Sequence, residues 1–154
     1  MSGTATKLAL RTLDGLAKLL GREDGRPESH RTGARGEEAA YFYLRGQGYT
    51  IVARNYRSPR RKGELDLIGW MKDSAGDILC FIEVKTRSTR DFQPAEAAVD
   101  FEKQRELRAM AQDYLRKLTS NRPQPRYRFD VVSIYIEQGK ATDITLFKDA
   151  FPLA

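Results

Sequence analysis

A chain of 154 residues, 40% hydrophobic and 31% charged, is long enough to bury one core and too polar to live in a bilayer, which argues against a disordered or membrane-embedded protein. Its formal charge of +6 draws polyanions such as nucleic acid, or an anionic membrane surface, over about a nanometre, although the same excess can serve solubility alone. One cysteine, Cys80, and one histidine, His30, exclude an intrachain disulfide and a His/Cys zinc centre, so any metal must sit on oxygen ligands, which favours Mg²⁺ or Mn²⁺.

Near the N-terminus, Ala9, Leu13, Leu16, Ala17 and Leu20 recur at helical spacing and predict a short amphipathic helix. Lys7, Arg11, Asp14 and Lys18 interrupt every candidate signal-peptide core, so a cytoplasmic location is expected. The stretch from Gly21 to Gly36 is rich in Gly, Pro, Ser, Thr and charge and reads as a linker. It divides an N-terminal extension, residues 1–30, from a main domain, residues 31–154.

A helix is expected from about Thr32 to Gln47, with Ala40, Tyr43 and Leu44 periodic and Gly46 and Gly48 as stops. Tyr49 to Arg57 reads as a strand. Beyond the loop at Pro59, Gly63 to Met71 and Ile78 to Arg87 read as a hairpin turning at Asp73 to Asp77. Pro94 is placed to open a long helix reaching Leu118, with Ala97, Phe101, Leu107, Ala111, Tyr114 and Leu118 as its apolar stripe. Tyr127 to Ile136 and Thr142 to Phe147 complete the order α-α-β-β-β-α-β-β around one mixed sheet, with a helical crossover between Arg87 and Tyr127.

Period-two geometry puts Glu64, Asp66 and Ile68 on one face of their strand and Leu65 and Leu67 on the other. On the next strand Leu79, Phe81, Glu83, Lys85 and Arg87 share a face, with Glu83 and Lys85 roughly 7 Å apart. Charges inside apolar strands are costly unless paired or bound to metal. Asp66 and Glu83 can together hold a divalent ion, while Lys85 orients or helps deprotonate a water, or opposes charge growing on a phosphoryl oxygen. A solvated Glu83–Lys85 edge pair is the competing explanation.

Glu37 shares a helix face with Ala40, Tyr41 and Leu44, so it either completes the carboxylate cluster or is simply a favourable first-turn acid; Glu38 falls toward Arg45. Arg54, Arg57, Arg60, Arg61 and Lys62 form a basic cluster just before the Asp66 strand, suited to gripping phosphates or to lying solvated in a mobile loop. Arg87 extends the basic set, and Glu64 is an auxiliary acid. Gln104 interrupts the stripe of the long helix with Lys103 beside it, so one or both reach the site or both lie on the surface. Asp130, alternating with Val132 and Ile134, is read as bracing a basic residue rather than as a ligand.

Gly36-Glu37, the run Gly63-Glu64-Leu65-Asp66-Leu67-Ile68, the run Phe81-Ile82-Glu83-Val84-Lys85-Thr86-Arg87 and Arg128-Phe129-Asp130-Val131-Val132 together resemble the YraN-like family of small bacterial proteins. That family looks like a branch of the PD-(D/E)XK nuclease superfamily, akin to archaeal Holliday-junction resolvases. The resemblance runs from about Arg31 to Phe151 and leaves the first thirty residues as an extension. It implies a three-layer α/β fold of restriction-endonuclease type, a central mixed β-sheet flanked by helices. By the same resemblance Asp66 corresponds to the metal-binding Asp, Glu83 and Lys85 to the Glu-X-Lys pair and Glu37 to the helical acid of the resolvases. The motif's proline is replaced by Leu65, a position that is not a ligand.

The expected activity is therefore Mg²⁺- or Mn²⁺-dependent phosphodiester hydrolysis, with DNA favoured over RNA as partner and branched or free-ended DNA as substrate. Catalysis would fall to Asp66, Glu83, Lys85 and Glu37, metal binding to the three acids, and nucleic-acid contacts to Arg57, Arg60, Arg61, Lys62 and Arg87, with Glu64, Lys103 and Gln104 as auxiliaries. The alternative is a nucleic-acid-binding module without cleavage. A homodimer is left open, and no segment is expected to span a membrane.

Overall fold

In the computed structural model, which describes residues 28–88 and 99–154, seven elements follow one another: α1 (Glu28–Gly46), β1 (Thr50–Tyr56), β2 (Leu65–Asp73), β3 (Gly76–Arg87), α2 (Phe101–Leu118), β4 (Tyr127–Glu137) and β5 (Lys140–Phe147). The strands pair in sequence order, β1-β2-β3-β4-β5. Every pair is antiparallel except β3 with β4, which run parallel because α2 lies between them in the chain. The chain divides into two units, Met1–Arg31 and Thr32–Ala154. The helix expected over Ala9 to Leu20 lies outside the described residues, among which no helix is long and apolar enough to cross a membrane.

Alternation along β3 divides the core into two halves. Ile78, Cys80, Ile82 and Val84 pack with Ala40 and Leu44 of α1. Leu79 and Phe81 face the other way, onto Leu107, Met110, Ala111 and Leu115 of α2. One helix thus covers each face of the sheet, an α/β arrangement of three layers. The β2–β3 hairpin turns within two residues, since Asp73 pairs with Gly76. Asp73 Oδ1 accepts the Ala75 N–H at 2.8 Å, and Gly76, at φ 110°, occupies backbone space that suits glycine.

Asp130, opposite Ile82 in the β3–β4 ladder, braces a basic residue, Arg128, as expected. It is fully buried and accepts from Tyr49 Oη at 2.9 Å, Arg128 Nε at 2.8 Å and the Asp149 N–H at 2.9 Å. Burial, followed by the Asp130 charge, holds the Tyr49 hydroxyl well above its usual pKa.

Several local expectations are corrected. Helix α1 starts at Glu28, inside the stretch read as a linker, because a lack of apolar residues does not disfavour a helix built from good formers such as Glu28, Ala34 and Arg35. Helix α2 is capped by Asp100, whose side chain accepts the Lys103 N–H; Pro94 and Ala97 lie outside the described residues. Phe101 is 71% exposed rather than part of the stripe, since six residues before Leu107 is about 120° away around a helix. Strict alternation also fails at the start of β2, where Leu65 packs with Ile68 under α2 and Leu67 packs under α1.

Candidate metal centre

The β2–β3 ladder runs from the Asp73–Gly76 pair to the Leu67–Ile82 pair. One residue farther, Asp66 replaces backbone pairing with its side chain: its Oδ2 accepts the Val84 N–H at 2.7 Å. Asp66 and Glu83 are the next residues beyond that last pair, so the register of a tight hairpin brings the two carboxylates together. Glu83 follows Leu79 and Phe81 on the face covered by α2 and is only 5% exposed.

Helix α1 supplies Glu37 by close approach. A Cβ on Gly36 would overlap the Thr86 side chain of β3, so only glycine lets the helix lie against the strand at this point. The next residue, Glu37, then reaches the acids of β2. Oxygens of Glu37, Glu64 and Asp66 lie within 4.8 Å of one another. Asn55 fastens two of them: with its amide nitrogen turned toward the acids it donates to Glu64 Oε1 at 3.1 Å and Glu37 Oε2 at 3.0 Å. Its φ of 49° is the left-handed conformation that asparagine tolerates better than most residues. Arg57 Nε donates to Glu64 Oε2 at 2.6 Å.

Glu83 is held differently. Its Oε1 lies 3.2 Å from Lys85 Nζ and 3.8 Å from Lys103 Nζ, while its Oε2 is buried without a hydrogen-bond partner. Lys103 Nζ is also 3.8 Å from Glu106 Oε2.

Two of the four carboxyls, Asp66 and Glu37, are raised, in each case chiefly by burial and then by a neighbouring acid. Burial above all, and then the Glu83 and Glu37 charges, push the Asp66 carboxyl up to about 8, against the pull of the Val84 N–H. Glu37 is also raised, by burial and then by Glu64, with Arg54 and Asn55 acting in opposition. Clustered carboxylates that resist ionising together are the groups a divalent cation satisfies, and an all-oxygen donor set suits a hard ion.

The structure thus brings Glu37, Asp66, Glu83 and Lys85 into one neighbourhood. Glu64, expected only as an auxiliary, stands among the close acids, and Glu83 lies beside that trio rather than within it. Lys103 reaches the site and Gln104 does not: the Gln104 amide donates to Val99 O at 3.0 Å and accepts from Arg108 at 3.2 Å. Lys103 was findable, because it sits four residues before Leu107 and so interrupts the buried stripe with a charge. Nothing in the sequence singles out Asn55.

The basic residues divide as well. Arg57 is committed to Glu64, Arg54 lies over the Tyr41 ring at 4.8 Å, and Arg61 is 3.8 Å from the buried Asp113. Arg60 and Lys62 are exposed and Arg87 is half-buried at the end of β3. Arg61, Lys62 and Arg105 line an open groove with Glu102 and Glu106. At Gly63, φ 103°, a Cβ would overlap the Glu106 carboxylate, so the basic loop passes close to α2.

Residues 36–134 match the model of the uncharacterised protein family UPF0102. A UPF0102 protein of Koribacter versatilis is 52% identical over 149 residues, covering 97% of this chain and 96% of its own length. One from Solibacter usitatus is 48% identical over 111 residues, 72% of this chain and 78% of the relative. For one from Rhodococcus opacus the identity is 44% over 119 residues, 77% and 94% of the two chains. The matched segment begins at the glycine that seats α1 on β3 and contains all four acids and both lysines of the cluster; the chain belongs to the UPF0102 family.

Proposed function

We propose that this protein is a Mg²⁺- or Mn²⁺-dependent nuclease of the PD-(D/E)XK type, with a restriction-endonuclease-like fold, that hydrolyses phosphodiester bonds in branched or free-ended DNA. The observation that carries the reading is the convergence of Glu37, Glu64 and Asp66 oxygens within 4.8 Å of one another, beside a buried glutamate that contacts a lysine two residues away on the same strand. The donor set fits such an ion: it is all carboxylate oxygen, the Asp66 carboxyl is raised by burial and then by the neighbouring Glu83 and Glu37 charges, and Glu83 Oε2 is a buried acceptor without a partner.

A divalent ion bound there lowers the pKa of a coordinated water and polarises a phosphoryl oxygen. Asp66, Glu83, Glu37 and Glu64 supply the ligands, with Asn55 and Arg57 holding two of them in place. Lys85, half-buried and 3.2 Å from Glu83 Oε1, orients the attacking water or opposes charge on the phosphoryl oxygen in the transition state. Arg60, Arg61, Lys62 and Arg87 contact backbone phosphates, which position a duplex without reading its sequence.

The test is a panel of linear, flapped and four-way-junction DNAs incubated with Mn²⁺ and with chelator. Cleavage of at least one substrate that depends on the metal and disappears in Asp66→Ala is expected. Absence of metal-dependent cleavage across DNA and RNA panels would sink the reading.

A further inference from the structure

Glu83 has one oxygen between two ammonium groups and one oxygen with no partner, a lopsided arrangement for a carboxylate that is only 5% exposed. The two lysines are also unequal. Lys85 stands on the same strand at 3.2 Å. Lys103 comes from the first turn of α2, stands at 3.8 Å, and divides its charge between Glu83 and Glu106.

Resting on the metal reading above, we infer that Lys103 is a stand-in counter-ion: a divalent ion displaces it from Glu83, and the released ammonium then holds a substrate phosphate. A divalent charge on Glu83 repels an ammonium about 4 Å away, and Lys103 is the more loosely held of the two. The difference lies in distance and not in exposure, since the Lys103 side chain is 26% exposed and that of Lys85 31%, and the flexible four-carbon stem lets the ammonium move without disturbing the helix. Its neighbours in the chain and across the loop, Arg61, Lys62 and Arg105, line an open groove together with Glu102 and Glu106, so the freed charge adds to the positive side of a mixed-charge groove. The pairing with Glu106, which the close-packed Gly63 keeps near the loop, limits how far it travels.

This arrangement sets two affinities in opposition at one residue, which a simple structural ion pair does not do. Calorimetry with Mn²⁺ on the full chain should show Lys103→Ala binding the ion more tightly, on the order of fivefold, because a competing charge is gone. Anisotropy with a labelled flapped duplex, in Ca²⁺ to avoid cleavage, should show weaker DNA binding and a log–log salt slope smaller by about 0.9. Lys103→Met, which keeps the stem, should follow Lys103→Ala, and Lys103→Arg should restore the slope; melting curves check that each variant folds.

Unchanged or weaker Mn²⁺ affinity in Lys103→Ala, with wild type binding normally, overturns the inference and leaves the nuclease reading standing. An unchanged salt slope overturns it too. A wild-type chain that binds no Mn²⁺ overturns both.

Discussion

Asp66 accepts the Val84 N–H at 2.7 Å, a side chain bonding a backbone donor at the residue where the β2–β3 ladder stops. The bond fixes the carboxylate to the partner strand, so its position beside Glu83 is set by sheet geometry and not by free rotation of a side chain. Asp66→Ala or Glu83→Ala should therefore abolish Mn²⁺ binding in calorimetry while far-UV circular dichroism stays unchanged, because the apolar sheet does not depend on either charge. Glu64→Gln should weaken the ion roughly tenfold or more, the range seen when a residue supporting a metal site is removed. Unaltered affinity in all three variants would make these acids structural.

The raised carboxyl of Asp66 has a consequence for stability. In the folded chain it holds its proton up to about 8, whereas the ordinary value of 3.8 applies once unfolded. The folded state therefore binds more protons through that window, and metal-free stability falls as pH rises from about 4 to about 8. Asp66→Asn should flatten this decline and raise the metal-free melting temperature by a few degrees at the alkaline end. Mn²⁺ binding at neutral pH should release a proton, visible as a calorimetric enthalpy that changes with the buffer's ionisation heat. Parallel pH profiles for wild type and Asp66→Asn would show that the group is ionised throughout.

Lys85 separates cleavage from binding. If its ammonium acts on the water or on phosphoryl charge in the transition state, Lys85→Ala and Lys85→Met should both keep DNA affinity and lower cleavage by roughly a hundredfold or more. Weaker binding with no cleavage in the wild type would favour a binding module over an enzyme.

The basic loop separates into two functions. Neutral residues at Arg60, Arg61 and Lys62 should weaken DNA binding regardless of sequence and reduce the salt slope by about 0.9 for each phosphate no longer neutralised. Arg57→Gln should act instead on the metal, because Arg57 holds Glu64 at 2.6 Å, and its Mn²⁺ affinity should fall where the other three variants leave it intact.

Asp66, Glu83 and Lys85 were legible in the sequence because a charge in the middle of an apolar strand needs a reason, and the hairpin that joins them is announced by Asp73 and Gly76. The burial of β3 on both faces, between α1 and α2, was expected only through the family resemblance, which implied a three-layer fold. Glu64 was not legible as a central acid, since an acid at the mouth of a strand looks the same whether it faces solvent or other carboxylates. Asn55 joins two acids only through a left-handed backbone that propensity does not foresee. Phe101 shows the reverse failure: rough periodicity placed it in the apolar stripe, but it lies about 120° around the helix from Leu107 and is exposed, while of the two residues left open beside it Lys103 contacts Glu83 and Gln104 ties down the helix's opening turn.

Among the described residues β3 and β4 form the one parallel pair, and that topology gives the parts of the site loops of very different length to close. Asp66 and Glu83 belong to a hairpin with a two-residue turn, so their meeting involves a short loop and local pairing. Lys103 arrives on a helix whose packing is completed only when the chain returns to lay β4 against β3, a closure over a much longer loop and hence a slower event. During refolding the acids should come together before the lysine of α2 reaches them, leaving an interval in which the carboxylate pair is exposed to whatever cation is present.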